Sequence, residues 1–279
     1  MIDQKVDVLV IGETLMIDHG DGESGGGAGA QVARAAALLG KQVGLLTCLS
    51  EDNRGRRLRS WLADAGVQVH RSLISHTPRA EWGNDIEASP GPQVWRFAAR
   101  RLPMAGIIHV TSLPAGVYPA SHDVLGLFAA NKGKSLRSVA ILSRYLLALR
   151  KEAILTIIAA SDVVITDRVA LEWLYPDRAI EDAVALLLNH RAGIVFVVDQ
   201  SAAWVFTESL SIPVLLHETQ QKRRGVHQEA VIGHLLDEMI TRGFSAQGGR
   251  RALLTADPKT LRSILKCSIR AAAAAVTTG

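Results

Sequence analysis

Two acidic side chains stand beside elements that could hold a carboxylate in a fixed place, a strand end and a helix start. Asp18 follows the first apolar run, and Glu229 lies early in a helical pattern that extends from His227 to Arg242. A carboxylate within reach of a hydroxyl can take its proton. An acid in the first turn of a helix is also favoured by the helix dipole alone. A glycine-rich stretch, Gly20 to Gly29, leads into an alanine-rich segment that stops at Gly40. His227 and His234 are seven apart and can share a helix face, but no third ligand is in register for a metal. Lys222, Arg223 and Arg224 read as a solvated loop, with a new anion site as the alternative. No Gly-x-Ser-x-Gly elbow supports serine chemistry. Cys48 and Cys267 are too few for a disulfide framework or a cysteine metal site, so they read as buried thiols in a reducing compartment.

The elements that must position these groups alternate along the chain. Val6 to Ile11 is a β-branched-rich run of the kind found in buried parallel strands. Ala30 to Leu39 carries no helix breaker and ends at Gly40, a C-terminal signal. Gln42 to Thr47 is the next strand. Arg54 to Ala65 is an amphipathic helix with Leu58, Trp61 and Leu62 on its apolar face. From Val67 to about Pro103 four prolines punctuate short mixed segments, which reads as an excursion from the main fold. Ile107 to Thr111, Val139 to Leu142, Asp162 to Ile165 and Gly193 to Val198 return to core-strand character, and Ala203 to Thr207 could pair beside the last. Helical segments fall at Tyr145–Lys151, Ala179–Asn189, His227–Arg242 and Pro258–Thr277. Strands alternating with helices predict one α/β domain over residues 1–279, with a doubly wound, mostly parallel sheet flanked by helices.

Length and composition narrow the function. At 279 residues the chain is long enough for a sizeable core. Its net charge of +4 comes from scattered arginines without interleaved aromatics, which argues against a nucleic-acid binder. No apolar run approaches the roughly 18 residues that cross a membrane. Asp3, Lys5 and Asp7 interrupt the start, so no secretory signal pattern is read, and a cytoplasmic location is expected.

The run Gly26-Gly27-Ala28-Gly29-Ala30-Gln31-Val32-Ala33, closing at Leu39-Gly40, resembles the first signature of the ribokinase/PfkB carbohydrate kinase family. Val8-Leu9-Val10-Ile11-Gly12-Glu13 resembles the family's first strand. Glu51 to Leu58 with Ala65-Gly66-Val67 resembles its next helix and exit, and Ser161-Asp162-Val163-Val164 and Ala271 to Thr277 also sit in order. The resemblance implies a ribokinase-like α/β fold with a small β lid, supplied largely by residues 67–103, that often also forms a dimer contact. It implies substrate contacts at Asp18, Gly26, Gly27 and Gln31. It places the family's Gly-Ala-Gly-Asp segment either at Val226, His227, Gln228 and Glu229 or at Gly225, Val226, His227 and Gln228. Glu229 therefore fills the base slot in one register and Gln228 in the other. The Asn-x-x-Glu motif tied to Mg and phosphate falls at Asp167-Arg168-Val169-Ala170, and the nucleotide turn at Asp199 to Trp204, including Ser201.

Several of these positions depart from the family pattern. The glycines that let a backbone approach phosphate are replaced by side chains, the motif glutamate is Ala170, and Trp204 stands in the nucleotide turn. The expectation is a pseudokinase that binds a partner protein or a sugar- or nucleoside-like ligand without efficient phosphotransfer. The alternative is a divergent active ATP-dependent sugar or nucleoside kinase using ATP and Mg. A homodimer through the lid is a further expectation from the resemblance.

Overall fold

β1 (Lys5–Ile11) alternates little and is buried from Val8 onward, as a strand covered on both faces must be. It runs between β4 (Val43–Leu49) and β7 (Met104–Val110), parallel to both. The computed structural model describes residues 5–73, 79–81, 102–190, 192–199, 202–215 and 228–275. Among them the main sheet continues outward through β8 (Leu136–Ile141), β9 (Val163–Thr166) and β10 (Ile194–Val198), all parallel. It ends in the antiparallel strands β11 (Ala202–Thr207) and β12 (Leu210–Leu215). On its other side it ends in β5 (Val67–Leu73), parallel to β4. The order β12-β11-β10-β9-β8-β7-β1-β4-β5 confirms the mostly parallel sheet.

The stretch from Val67, expected to leave the main fold, instead begins by supplying β5. Arg79–Glu81 forms β6, beside β2 (Leu15–Asp18), which is paired antiparallel to β3 (Glu23–Gly26). The small sheet therefore draws two of its three described strands from residues 15–26, where no strand was read from the sequence. Its underside is apolar: Met16 is buried with Leu49 and Leu58, and Trp61 and Val69 pack against them. Glu23 pairs with Arg54 and Arg57 of α2 (Asn53–Ala63), fastening the hairpin at its outer end.

Small residues bring the elements together closely. α1 (Ala28–Leu38) buries Ala30, Val32, Ala33 and Ala36. It lies against α8 (Gln228–Thr241), where a Cβ on Gly233 would strike the Ala35 side chain. α10 (Pro258–Ala275) packs on α8 in turn. Between these come α3 (Ser112–Gly116), α4 (Ala120–Ala130), a 3-10 turn at Ser143–Ala148, α5 (Lys151–Ala159), α6 (Arg168–Leu174), α7 (Ile180–Asn189) and α9 (Gly249–Leu254). The helix expected at Tyr145–Lys151 is thus a 3-10 turn followed by α5. No helix among the described residues is long and apolar enough to cross a membrane.

Two buried polar groups mark the sheet itself. His109 on β7 is wholly buried, with Nδ1 3.0 Å from Ser138 Oγ. Burial pushes its pKa down to about 3. At the amino end of β9, Asp162 receives Arg137 on both oxygens and Arg250 on Oδ1 at 2.6 Å. Burial opposes the charge on Asp162, but the Arg137 and Arg250 hydrogen bonds outweigh it and hold its carboxyl below the usual range.

Candidate functional site

Sheet order changes direction at β1: the chain steps to β4 on one side and returns to β7 on the other. The crevice outside the carboxyl ends at such a switch point is where open α/β sheets bind ligands. Gly12, Glu13 and Thr14 follow β1 there, and Thr111 and Ser112 follow β7. Gly12 and Gly29 meet so closely that a Cβ on either would lie 2.5 Å from the other's backbone. Gly27 adopts φ 98 as the residue before α1, a left-handed value that favours glycine. Its Cβ would lie 2.5 Å from the Glu13 carbonyl oxygen.

The head of α1 is closed by Glu13, a residue the motif reading left in the first strand. Its Oε1 accepts from Ala28 N–H at 2.7 Å and its Oε2 from the Thr111 hydroxyl at 2.9 Å. Its carbonyl accepts from Ala30 N–H at 3.1 Å. Beside it Thr47 donates to Thr14 at 3.0 Å, both fully buried. Gln31 turns back toward β3, with Nε2 3.5 Å from the Gly25 carbonyl. Gly26, Gly27 and Gln31 therefore do gather at one junction, under the small sheet. Asp18 sits at the far end of the β2–β3 hairpin, opposite Glu23, where its Oδ1 accepts from Gly20 N–H at 2.8 Å. That contact is a local turn bond of the kind aspartate makes at strand ends.

A second group forms at the carboxyl ends of β8 and β9. Asp167 follows β9, is 3 % exposed, and caps α6 by accepting from Ala170 N–H at 2.8 Å. Its Oδ2 accepts from Ser143 N–H at 2.8 Å and from the Gln228 amide at 3.2 Å. α8 begins at Gln228, so both residues proposed for the base slot lie in its first turn, and they face different partners. Glu229 is 2 % exposed and meets the Arg144 guanidinium at 2.9 Å, an ion pair without hydrogen-bond alignment. Glu229, which fills the base slot in one of the two registers, is thus turned into the protein. Arg144, two residues beyond Leu142, was not singled out by any motif. Gly225, Val226, His227 and Ser201 lie outside the described residues. Trp204 is half-buried on β11, opposite Pro213.

The fold is shared with known proteins. Residues 2–82 match the model of the pfkB family carbohydrate kinases. Over its whole length the chain superimposes on fructokinase from Xylella fastidiosa with bound ATP, at a TM-score of 0.81 and 21 % identity, covering 94 % of that chain. The fold is ribokinase-like. Aminoimidazole riboside kinase from Salmonella enterica, complexed with aminoimidazole riboside and an ATP analog, gives 0.74 and 19 %, with 99 % of this chain and 94 % of that one covered. Fructokinase from Vibrio cholerae O395, bound to fructose, ADP and calcium, gives 0.73 and 17 %, with 97 % and 92 % covered. No curated protein sequence matches the chain at a significant level. At these identities the solved structures establish the ribokinase-like fold, and the chemistry rests on the residues described above.

Proposed function

We propose that this ribokinase-fold chain binds a sugar- or nucleoside-like ligand at the β1/β7 crevice and does not transfer phosphate efficiently. The observation that carries this reading is the state of Glu229. A general base must lie within hydrogen-bond reach of the proton it takes. Glu229 is 2 % exposed and directed at Arg144 instead. Gln228, the residue in the other register, carries an amide that cannot take a proton, and it donates to Asp167.

ATP and Mg, which the fold implies, fit these residues poorly. Asp167 and Glu229, the carboxylates nearest the head of α8, already face N–H groups and a guanidinium. The relatives solved with fructose and with aminoimidazole riboside support a polyhydroxylated ligand. A cytoplasmic location and a homodimer through the small sheet are part of the same proposal.

Calorimetric titration with fructose, with a riboside and with ATP plus Mg tests binding, and a coupled assay of ADP release on the same panel tests turnover. Heat with a sugar or riboside and no ADP release above background is the expected result. Turnover at the roughly 1–100 per second usual for kinases would sink the reading. Its loss in Glu229→Gln would then assign the chain to the divergent active kinases. Silence with every ligand would redirect the search to a protein partner.

A further inference from the structure

The outer face of α10 carries charge that the fold leaves unused. Lys259, Arg262, Lys266 and Arg270 are all exposed, while Leu261, Ile264, Leu265 and Ile269 are buried toward α8, β11 and β12. The helical repeat puts the four cations within about 80° of one another, along about 17 Å of helix. The side chains beside them, Ser263, Cys267 and Ala271, are small and uncharged. Other cations of the protein are held by acids: Arg54 and Arg57 by Glu23, Lys41 by Asp237, Arg242 by Glu238. None of the four on α10 forms an ion pair among the described residues. The acids that lie near are engaged elsewhere. Asp257, at the head of α10, accepts from the backbone N–H groups of Lys259 and Thr260 and from the Thr260 hydroxyl. Glu238 holds Arg242, which reaches Ser263 on the flank of the stripe.

This arrangement works against the helix that carries it. Lys259 meets the positive end of the dipole, and Arg262, Lys266 and Arg270 repel one another at spacings of four residues. Nothing among the described residues offsets that cost, whereas anions outside the molecule would. We infer that the outer face of α10 rests on anionic lipid headgroups at a membrane surface, held there by charge. A protein partner needs an aromatic or aliphatic anchor to fill a pocket, and a nucleic-acid single strand needs aromatic side chains for its bases. The face offers neither. A fluid lipid surface asks only for cations in one plane, and a cluster of about four on an amphipathic helix suffices. Because the apolar face of α10 is buried in the fold, the helix cannot insert. The contact is therefore weak, reversible and sensitive to salt.

The experiment is co-sedimentation of the full chain with vesicles of phosphatidylcholine, alone or with about 30 % phosphatidylserine, at about 0.05 M and 0.5 M salt. It uses the wild type, Lys266→Gln/Arg270→Gln, a fourfold variant that adds Lys259→Gln and Arg262→Gln, and Lys132→Gln/Lys134→Gln as a charge-matched control on another element. The wild type should pellet with the phosphatidylserine vesicles at low salt and be released at high salt. Each cation near such a surface is worth about fivefold, so the double variant should bind about twenty-fivefold more weakly. The fourfold variant should fall to the level of phosphatidylcholine alone, and the control should stay near the wild type. Melting curves at low salt separate loss of binding from loss of fold: with the repulsion removed, the fourfold variant should melt no lower than the wild type. A lower melting temperature would give the stripe a role inside the fold and overturn the inference. Equal binding to both kinds of vesicle overturns it, as does binding that survives the fourfold substitution. Absence of vesicle binding overturns it too; retention on immobilised duplex DNA, lost in the fourfold variant, would then assign the stripe to nucleic acid instead.

Discussion

Acid should unfold this protein through His109 earlier than its carboxylates require. The imidazole is wholly buried on β7, and burial holds its pKa at about 3, against 6.5 for an exposed histidine. Between those values the unfolded chain binds a proton that the folded chain refuses, so stability is complete above about pH 6.5 and falls as the pH drops toward 3. Each pKa unit corresponds to about 1.4 kcal/mol, so lowering the pH from 7.5 to 5.0 should cost about 2 kcal/mol from this residue alone. For a chain of this length that is about 3 °C in Tm. Burial also lowers the pKa of His70 and His234, so the total loss will be larger. Comparison with His109→Asn isolates the one residue: asparagine does not titrate, and its amide can reach Ser138 in place of Nδ1. Urea unfolding of both proteins at pH 7.5, 6.5, 5.5 and 5.0 gives the two slopes. The variant should lose about 2 kcal/mol less than the wild type across that range. Parallel slopes would refute the reasoning.

Three further outcomes follow from the contacts described. Arg137→Ala leaves the buried Asp162 carboxylate with Arg250 and the backbone N–H of residue 137, and should cost about 3 kcal/mol in urea unfolding. Because Asp162 is held below its usual pKa, its contribution is full above the usual value and disappears as the pH falls from there through the lowered value of the folded protein, so the variant should gain on the wild type only in strong acid. Gly27→Ala combines a left-handed backbone with a Cβ 2.5 Å from the Glu13 carbonyl oxygen, and should destabilise by at least about 2 kcal/mol in the same assay. Asp167→Ala removes the cap of α6 and the tie to Ser143, which should cost about 1–3 kcal/mol and speed hydrogen exchange at Ala170 and Ser143.

The parts of the fold that could be read from sequence are those whose physics is local. β1, β4 and α1 announce themselves through unbroken apolar runs and the glycine that ends the helix. β2 and β3 do not, because strands of four residues, one of them Glu-Ser-Gly-Gly, carry no periodic signal. β5 reads Val-Gln-Val-His-Arg-Ser-Leu, an alternation natural to an edge strand and easily taken for part of an excursion. The glycine at Gly27 was legible because a left-handed backbone and the nearness of the Glu13 carbonyl demand that residue type there. Arg144 was not: a lone arginine in Ser-Arg-Tyr-Leu-Leu-Ala means nothing until Glu229, far along the chain, is packed against it. The direction of Glu229 was likewise invisible, since a first-turn acid looks the same whether it faces solvent or core.

The position of β1 also governs when the molecule can assemble. Its partner on one side, β4, follows within a few dozen residues, but Val8 meets Ile107 and Ile11 meets Val110 about a hundred residues later. β1 therefore keeps one edge unpaired until β7, about a hundred residues further on, has been made. Pairings across such separations must offset a large loop-closure entropy before they stabilise anything, which makes folding slow. Until β7 arrives, the apolar edge of β1 is open to any other strand. Production of the protein should therefore depend on synthesis rate, temperature and chaperone supply more than its final stability suggests.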